Sequence, residues 1–272
     1  MSKPPEPKSP FPDAREDQAR WDRVPDTPQT LSPSFRLAFS DPDFLTRDEL
    51  RPVRLQLELL KPEMALQERG IVSTIVMLGS ARIPDPATAN PGRPAAALAP
   101  YYAQAREFAR LSTERALATG NREDVVCTGG GPGIMEAGSR GAAEAGGVSI
   151  SLNIVLPHEQ SPNRYGTPDL SFNFHYFAIR KMHFLMRARA IAVFPGGFGT
   201  FDELFEVLTL IQTGRMRRRP ILLFGEPFWR AVLNWEALVE AGTIAARDLE
   251  LFGYVASAAE AWEKIDAWRA AT

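Results

Sequence analysis

From Ala190 the chain reads Ala-Ile-Ala-Val-Phe, then Pro195-Gly196-Gly197-Phe198-Gly199, then Thr200-Phe201-Asp202-Glu203-Leu204-Phe205-Glu206. The first part is an unbroken apolar run, the pattern of a strand buried on both faces of a sheet. Beyond the glycines, Phe201, Leu204, Phe205, Leu208 and Ile211 recur at helical spacing. A strand that breaks into glycines and resumes as a helix lets main chain approach a ligand closely. It also aims unpaired N–H groups and a partial positive charge at that ligand. An anion, most often a phosphate, fits such a place. Thr200 followed three residues later by Glu203 also reads as a capping box. That reading accounts for the threonine and the glutamate and leaves the preceding glycines unexplained.

The rest of the sequence supplies the frame for this turn. Residues 1–34 are rich in proline and charge and read as a disordered or loosely attached tail. Residues 35–70 form an N-terminal helical segment. Its helix runs from about Thr46 to Arg69, with Pro52 in the first turn and Pro62 expected to kink or split it. Residues 71–272 alternate strands with helices. Strands are expected at 72–78, 124–128, 148–154, 172–177, 190–194 and 220–224. Helices are expected at 96–118, from 134 to 145, at 178–188, from Thr200 onward, at 228–241 and at 256–270. The alternation predicts an α/β fold: a Rossmann-like, doubly wound parallel sheet with helices on both faces. Two glycine turns fall at the carboxyl ends of strands, where open α/β sheets bind ligands.

Composition narrows the class. The 272 residues carry a formal net charge of −2, which gives no global pull toward nucleic acid or a membrane surface. No apolar run is long enough to span a bilayer. The start of the sequence lacks the apolar core of a signal peptide, and Cys127 is the single cysteine. A cytoplasmic location is therefore expected. Cys127 lies within a strand pattern and reads as a core thiol. His158, His175 and His183 show no metal-ligand spacing, so neither a metal nor a cofactor is expected. The basic run Arg215–Arg219 lacks the aromatic company of a single-stranded nucleic-acid site and reads as a solvated loop.

Two further motifs bear on chemistry. Gly129-Gly130-Gly131-Pro132-Gly133 lacks the Gly-Lys-Ser/Thr of a Walker loop and departs from the dinucleotide fingerprint. It reads either as a tight turn for close helix packing or as a second main-chain wall of a nucleotide pocket. Arg180-Lys181 lies among Phe177, Ile179, Met182, Phe184 and Leu185, so its cations are half-buried and need partners, Glu203 or a phosphate.

Arg180-Lys181 followed by Pro195-Gly196-Gly197-Phe198-Gly199-Thr200-Phe201-Asp202-Glu203 resembles the Lonely Guy (LOG) family. Its members are cytokinin riboside 5′-monophosphate phosphoribohydrolases, long labelled lysine decarboxylases. The resemblance extends over about residues 72–241. It implies that Arg180 and Glu203 are catalytic. It implies that Glu159, Lys181, Gly196, Gly197, Gly199, Thr200, Gly130, Gly131, Gly133, Ser80 and Arg82 bind substrate. It further implies a nucleoside 5′-monophosphate substrate (AMP or prenylated AMP) and a homodimer or larger homo-oligomer, with neither nucleic acid nor membrane as partner. The chain departs from compact members in its N-terminal segment and in Phe177-Ala178-Ile179, where they carry a Met-His pair. Molybdenum-cofactor carrier proteins are similar in fold and in the Pro-Gly-Gly-x-Gly-Thr turn, so a non-catalytic carrier or nucleotide sensor is the alternative. Under the hydrolase reading, Glu203 sits near a helix N-terminus and cations and is expected to be anionic at neutral pH.

Overall fold

The computed structural model describes residues 11–157 and 161–271. The chain divides into two units, one reaching to Leu57 and the other running from Glu58. The first unit holds α1 (Ala14–Trp21), α2 (Pro42–Leu45) and the opening of α3 (Arg51–Glu68). α1 lies within the stretch expected as a loose tail. Asp13 caps it by accepting hydrogen bonds from the Arg15 and Glu16 amides. Asp41 caps α2 in the same way. Residues 1–10 of that expected tail lie outside the described residues.

α3 corrects one expectation. Pro52 does sit in its first turn, but the helix passes unbroken through Pro62. A proline removes one intrahelical hydrogen bond. Here Pro62 is buried, and Ala65 and Leu66 pack into the core one turn further on, which holds both sides of the proline in line.

The second unit is built on one sheet. Its elements follow as β1 (Thr74–Leu78), α4 (Ala99–Ala118), β2 (Val125–Thr128), α5 (Ile134–Glu144), β3 (Ser149–Ile154), β4 (Ser171–Phe174), α6 (Phe177–Met186), β5 (Ala188–Val193), α7 (Phe198–Gln212), β6 (Ile221–Phe224), α8 (Glu226–Val232), α9 (Trp235–Glu240), β7 (Gly253–Val255) and α10 (Ala258–Ala271). The strand order is β4-β3-β2-β1-β5-β6-β7, and every pairing is parallel. The chain steps outward from β1 to β4, then returns to lay β5 against the free side of β1. The carboxyl ends of β1 and β5 are therefore the topological switch point, where a sheet of this kind opens a crevice.

Alternate residues of the central strands enter two separate cores. Val76, Leu78, Ile191 and Val193 meet Leu204, Val207 and Phe184 on the α3, α6 and α7 side. Ile75, Met77, Ala190 and Ala192 meet Phe108, Ile134 and Trp262 on the α4, α5 and α10 side. Both faces are covered, so the doubly wound parallel sheet expected from the sequence is the fold. Cys127 is buried on the first side, and desolvation pushes its thiol up to about 12. Two details differ from expectation. The helix expected at 228–241 is two helices, because Leu233 is extended and the Asn234 side chain caps α9 through the Ala237 amide. β7 was not foreseen, since three residues are too few to show a period.

α4 and α5 pack closely through Gly141. A Cβ there would fall on the Arg106 carbonyl and 2.9 Å from the Ala109 methyl. Glycine to alanine inside a helix ordinarily stabilises by about 1 kcal/mol. Gly141→Ala should reverse that sign and destabilise by about 1–3 kcal/mol through overpacking, read as a lower urea midpoint with an unchanged slope.

Candidate functional site

Three strand ends meet at the switch point and are tied by main chain. The Ser80 amide, just beyond β1, donates to the Pro195 carbonyl beyond β5 at 3.1 Å. The Ile134 amide, at the start of α5, donates to the Ser80 carbonyl at 3.1 Å. The glycines of the second turn allow this approach. Gly130 and Gly133 have φ of +75° and +68°, and a Cβ at Gly133 would strike the Ser80 carbonyl. Gly129 leaves room for a side chain instead, since a Cβ there would lie 2.5 Å from an Arg180 guanidinium nitrogen.

Arg180 fills that room. It projects from α6 and is buried, with Nε donating to the Leu152 carbonyl at 2.6 Å. Its Nη1 lies 3.3 Å from Glu203 Oε1. The two residues that the resemblance implies to be catalytic are thus a pair, 9% and 16% exposed. Glu203 keeps an opening toward solvent while most of its carboxyl is enclosed.

Burial decides the protonation of this pair. It pushes the Glu203 carboxyl up to about 7, and the Arg180 charge only partly opposes it. Asp202 and Glu206 push the same way, while Lys181 opposes. Burial also lowers Arg180, against the pull of Glu203. A guanidinium starts so high that it stays charged, so Glu203 is the member that titrates. This corrects the expectation of a fully anionic glutamate. The physical reason is burial, which outweighs the Arg180 charge, and the helix start gives the anion little help. α7 begins at Phe198 with Gly197 as its cap and no side-chain cap bond, so the capping box is not formed. Glu203 sits in the second turn, beyond the strong part of the helix dipole.

The Pro195–Thr200 turn divides its glycines by role. Gly196 makes room for Thr200, whose Oγ1 a Cβ would strike. Gly197 and Gly199 face open space and, with Phe198 at 96% exposure, form the outer lip. The Phe201 amide donates to the Gly197 carbonyl at 3.0 Å. The amides of Phe198, Gly199 and Thr200 precede that first helical bond, as at any helix start. Lys181 lies near this lip but is engaged, with Nζ 3.2 Å from Asp202 and 3.0 Å from Glu206. Ser80 lies at the junction and accepts from the Arg82 amide at 3.0 Å, while Arg82 itself is exposed. Glu159 lies outside the described residues. Among the described residues there is no group of acidic, histidine and cysteine side chains that could hold a metal ion. No helix there is long and apolar enough to cross a membrane.

Sequence reasoning missed the residue that pins the second glycine turn. Asn163 donates from its main-chain amide to the Gly130 carbonyl at 2.9 Å. Its side-chain amide reaches the Gly130 and Gly131 carbonyls at 3.0 and 3.2 Å. The signal was available: an asparagine after Pro162, with Oδ1 accepting from the Tyr165 amide two residues on, is an Asx turn.

A family model described as "Possible lysine decarboxylase" matches residues 135–265. The chain is 29% identical over 141 residues to cytokinin riboside 5′-monophosphate phosphoribohydrolase LOG7 of Arabidopsis thaliana. That match covers 48% of this chain and 63% of the relative. It is 31% identical over 134 residues to the probable phosphoribohydrolase LOGL5 of Oryza sativa subsp. japonica, over 48% of this chain and 49% of the relative. The resemblance to the Lonely Guy family is borne out. The residues matched by the family model include Arg180, Lys181 and the turn through Glu203. They leave out Ser80, Arg82 and the Gly130–Gly133 turn, which the fold itself brings to the same junction. Solved structures similar to this chain include the molybdenum cofactor binding protein of Rippkaea orientalis, with a TM-score of 0.47 and 17% identity over 72% of this chain and 96% of that one. Another is the Moco carrier protein of Chlamydomonas reinhardtii, with a TM-score of 0.47 and 18% identity over 74% of this chain and 99% of that one.

The Glu203 shift has a consequence for stability. Its ordinary value is 4.5 and its folded value about 7, so between the two the folded chain binds more protons than the unfolded chain. Stability therefore falls as pH rises through that window. Glu203→Gln removes the effect. From about pH 5 to about pH 8, wild type should lose on the order of 2–3 kcal/mol relative to Glu203→Gln, measured by urea denaturation of both proteins at each pH.

Proposed function

We propose that the protein hydrolyses the N-glycosidic bond of a nucleoside 5′-monophosphate, giving free base and ribose 5-phosphate. The observation that carries this reading is the Arg180–Glu203 pair, 3.3 Å apart and largely enclosed, on the elements that follow the two glycine turns. The relatives are named as phosphoribohydrolases, and the residues matched by the family model include both members of the pair.

Each group has a place in such a reaction. The bond from C1′ to the base nitrogen breaks with its electron pair leaving on the base. Positive charge builds on the sugar, as in other glycosidic cleavages. An ionised Glu203 beside C1′ stabilises that charge in a low-dielectric setting. Arg180 holds the carboxylate in place. Water then adds to C1′ and gives up a proton, matched by one taken up at the base nitrogen, so that neutral base and ribose 5-phosphate result. A carboxyl that titrates near neutrality changes protonation state in the range where such proton transfers occur. The 5′-phosphate is assigned to the free amides of Phe198–Thr200, and its binding energy positions the bond at a distance. Gly130, Gly131 and Gly133 form the facing wall, with Ser80 between. Lys181, tied to Asp202 and Glu206, steadies α6 against α7 and is available to the phosphate if those bonds exchange.

Incubating the protein with AMP and with isopentenyladenosine monophosphate should release free base in a chromatographic assay. Glu203→Gln should fold, bind nucleotide and lose at least a hundredfold in kcat. Normal turnover in that variant removes Glu203 from the chemistry. Pterin retained through purification, with no base released from any nucleotide, turns the reading to the carrier alternative.

The same reading carries a homo-oligomer. Phe198, Phe201, Phe205 and Leu210 line a depression of about 500 Å³ on the outer face of α7, next to the lip. Phe198→Ser should shift the protein to a smaller species in size-exclusion chromatography if a second copy covers that face.

A further inference from the structure

α3 lies outside the residues matched by the family model, yet it grips both ends of α6. At the start of α6, the Glu58 carboxylate accepts hydrogen bonds from the His175 amide at 2.8 Å and the Tyr176 amide at 3.1 Å. At the other end, Arg187 makes a two-pronged contact with Glu63, both bonds at 2.7 Å. Gln67 supports Glu63 from one turn on, at 2.9 Å. His183 is buried between these ends, against Phe174.

The Glu58 end connects directly to the site. Tyr176 caps α6 with no side-chain bond of its own, and Glu58 instead holds the main chain leading into the helix, through the His175 and Tyr176 amides. The Arg180 amide donates to the Tyr176 carbonyl at 3.1 Å. Arg180 then reaches Glu203 through Nη1. The chain of contacts is Glu58 to the Tyr176 amide, Tyr176 carbonyl to the Arg180 amide, and the Arg180 guanidinium to Glu203.

We propose that Glu58 is a positioning residue. It sets the register of α6 so that Arg180 meets Glu203, and so couples α3 to the chemistry at the switch point. This rests on the hydrolase reading for its kinetic part only. A carboxylate that accepts two main-chain N–H groups at a helix end fixes both the axial position and the tilt of that end. Gln in its place keeps one acceptor and turns a donor toward the second N–H. Ala keeps neither.

The test compares Glu58→Gln and Glu58→Ala with wild type. Two readouts are used: kcat and KM for AMP, and the pH midpoint of the Glu203-dependent stability change, obtained by pairing each protein with its Glu203→Gln counterpart. The expected result is a fall in kcat of about threefold to tenfold for Glu58→Gln, and a larger fall for Glu58→Ala. KM should stay within about threefold, and the pH midpoint should move upward as Arg180 loses its hold on Glu203. A merely structural role would lower the melting temperature and leave both the kcat of the folded enzyme and the midpoint unchanged; that result overturns the proposal. If Glu58→Ala does not fold, Glu58→Gln decides on the same two readouts. If wild type releases no base from AMP, the hydrolase reading fails, while the midpoint shift still upholds or overturns the role of Glu58.

Discussion

A guanidinium buried under the glycine turn is the feature to which the rest of the site is fitted. A charge removed from water is stable only when its donors find acceptors and its charge finds a partner. Arg180 finds the Leu152 carbonyl at 2.6 Å and the Glu203 carboxyl at 3.3 Å. The space it occupies exists because Gly129 has no side chain. Leu152 belongs to β3, Gly129 follows β2, and Glu203 rides on the helix after β5. The one side chain therefore requires three strands and two helices to stand in a fixed relation. The parallel sheet supplies that relation, since its strands deliver all their carboxyl ends to one edge.

The main-chain ties at that edge have the same logic. Ser80 bridges the β1, β5 and α5 ends through its own amide and carbonyl. Such bonds depend on backbone position and hardly on side-chain identity, which explains why glycines dominate the junction. Asn163 extends the network to the loop after β3, using a side-chain amide as a second backbone. With the Gly130 and Gly131 carbonyls bonded by Asn163 and the Gly133 carbonyl by the Ala137 amide, the turn is held without help from a ligand. A preformed site of this kind loses little ordering entropy when a small molecule arrives.

What could be read in advance follows the range of each interaction. The sheet, its parallel sense and the two glycine turns were legible because apolar runs and glycines are local signals. The pairing of Arg180 with Glu203 came from motif resemblance and from the rule that a half-buried cation needs a partner. The helix start at Phe198 was not legible: Thr200 and Glu203 fit a capping box on paper, and only the path of Gly197 decides otherwise. Pro62 misled for a similar reason, since a proline's local cost is visible and the packing around it is not. Glu58 and Glu63 gave no signal at all. Their partners lie more than a hundred residues away in sequence, and a glutamate on a helix reads as a solvated face unless the fold brings it a donor.

That last point bears on how the protonation of Glu203 is set. Its value depends on two opposed effects, desolvation that favours the neutral acid and the Arg180 charge that favours the anion. Enclosure is the larger effect, and the Arg180 charge opposes it. The Coulomb effect changes steeply with distance. The position of α6 sets the distance from Arg180 to the carboxyl, and carboxylates of α3 hold α6 at both ends. A helix outside the family-matched residues thus has a physical lever on the acid at the centre of the site, without touching it.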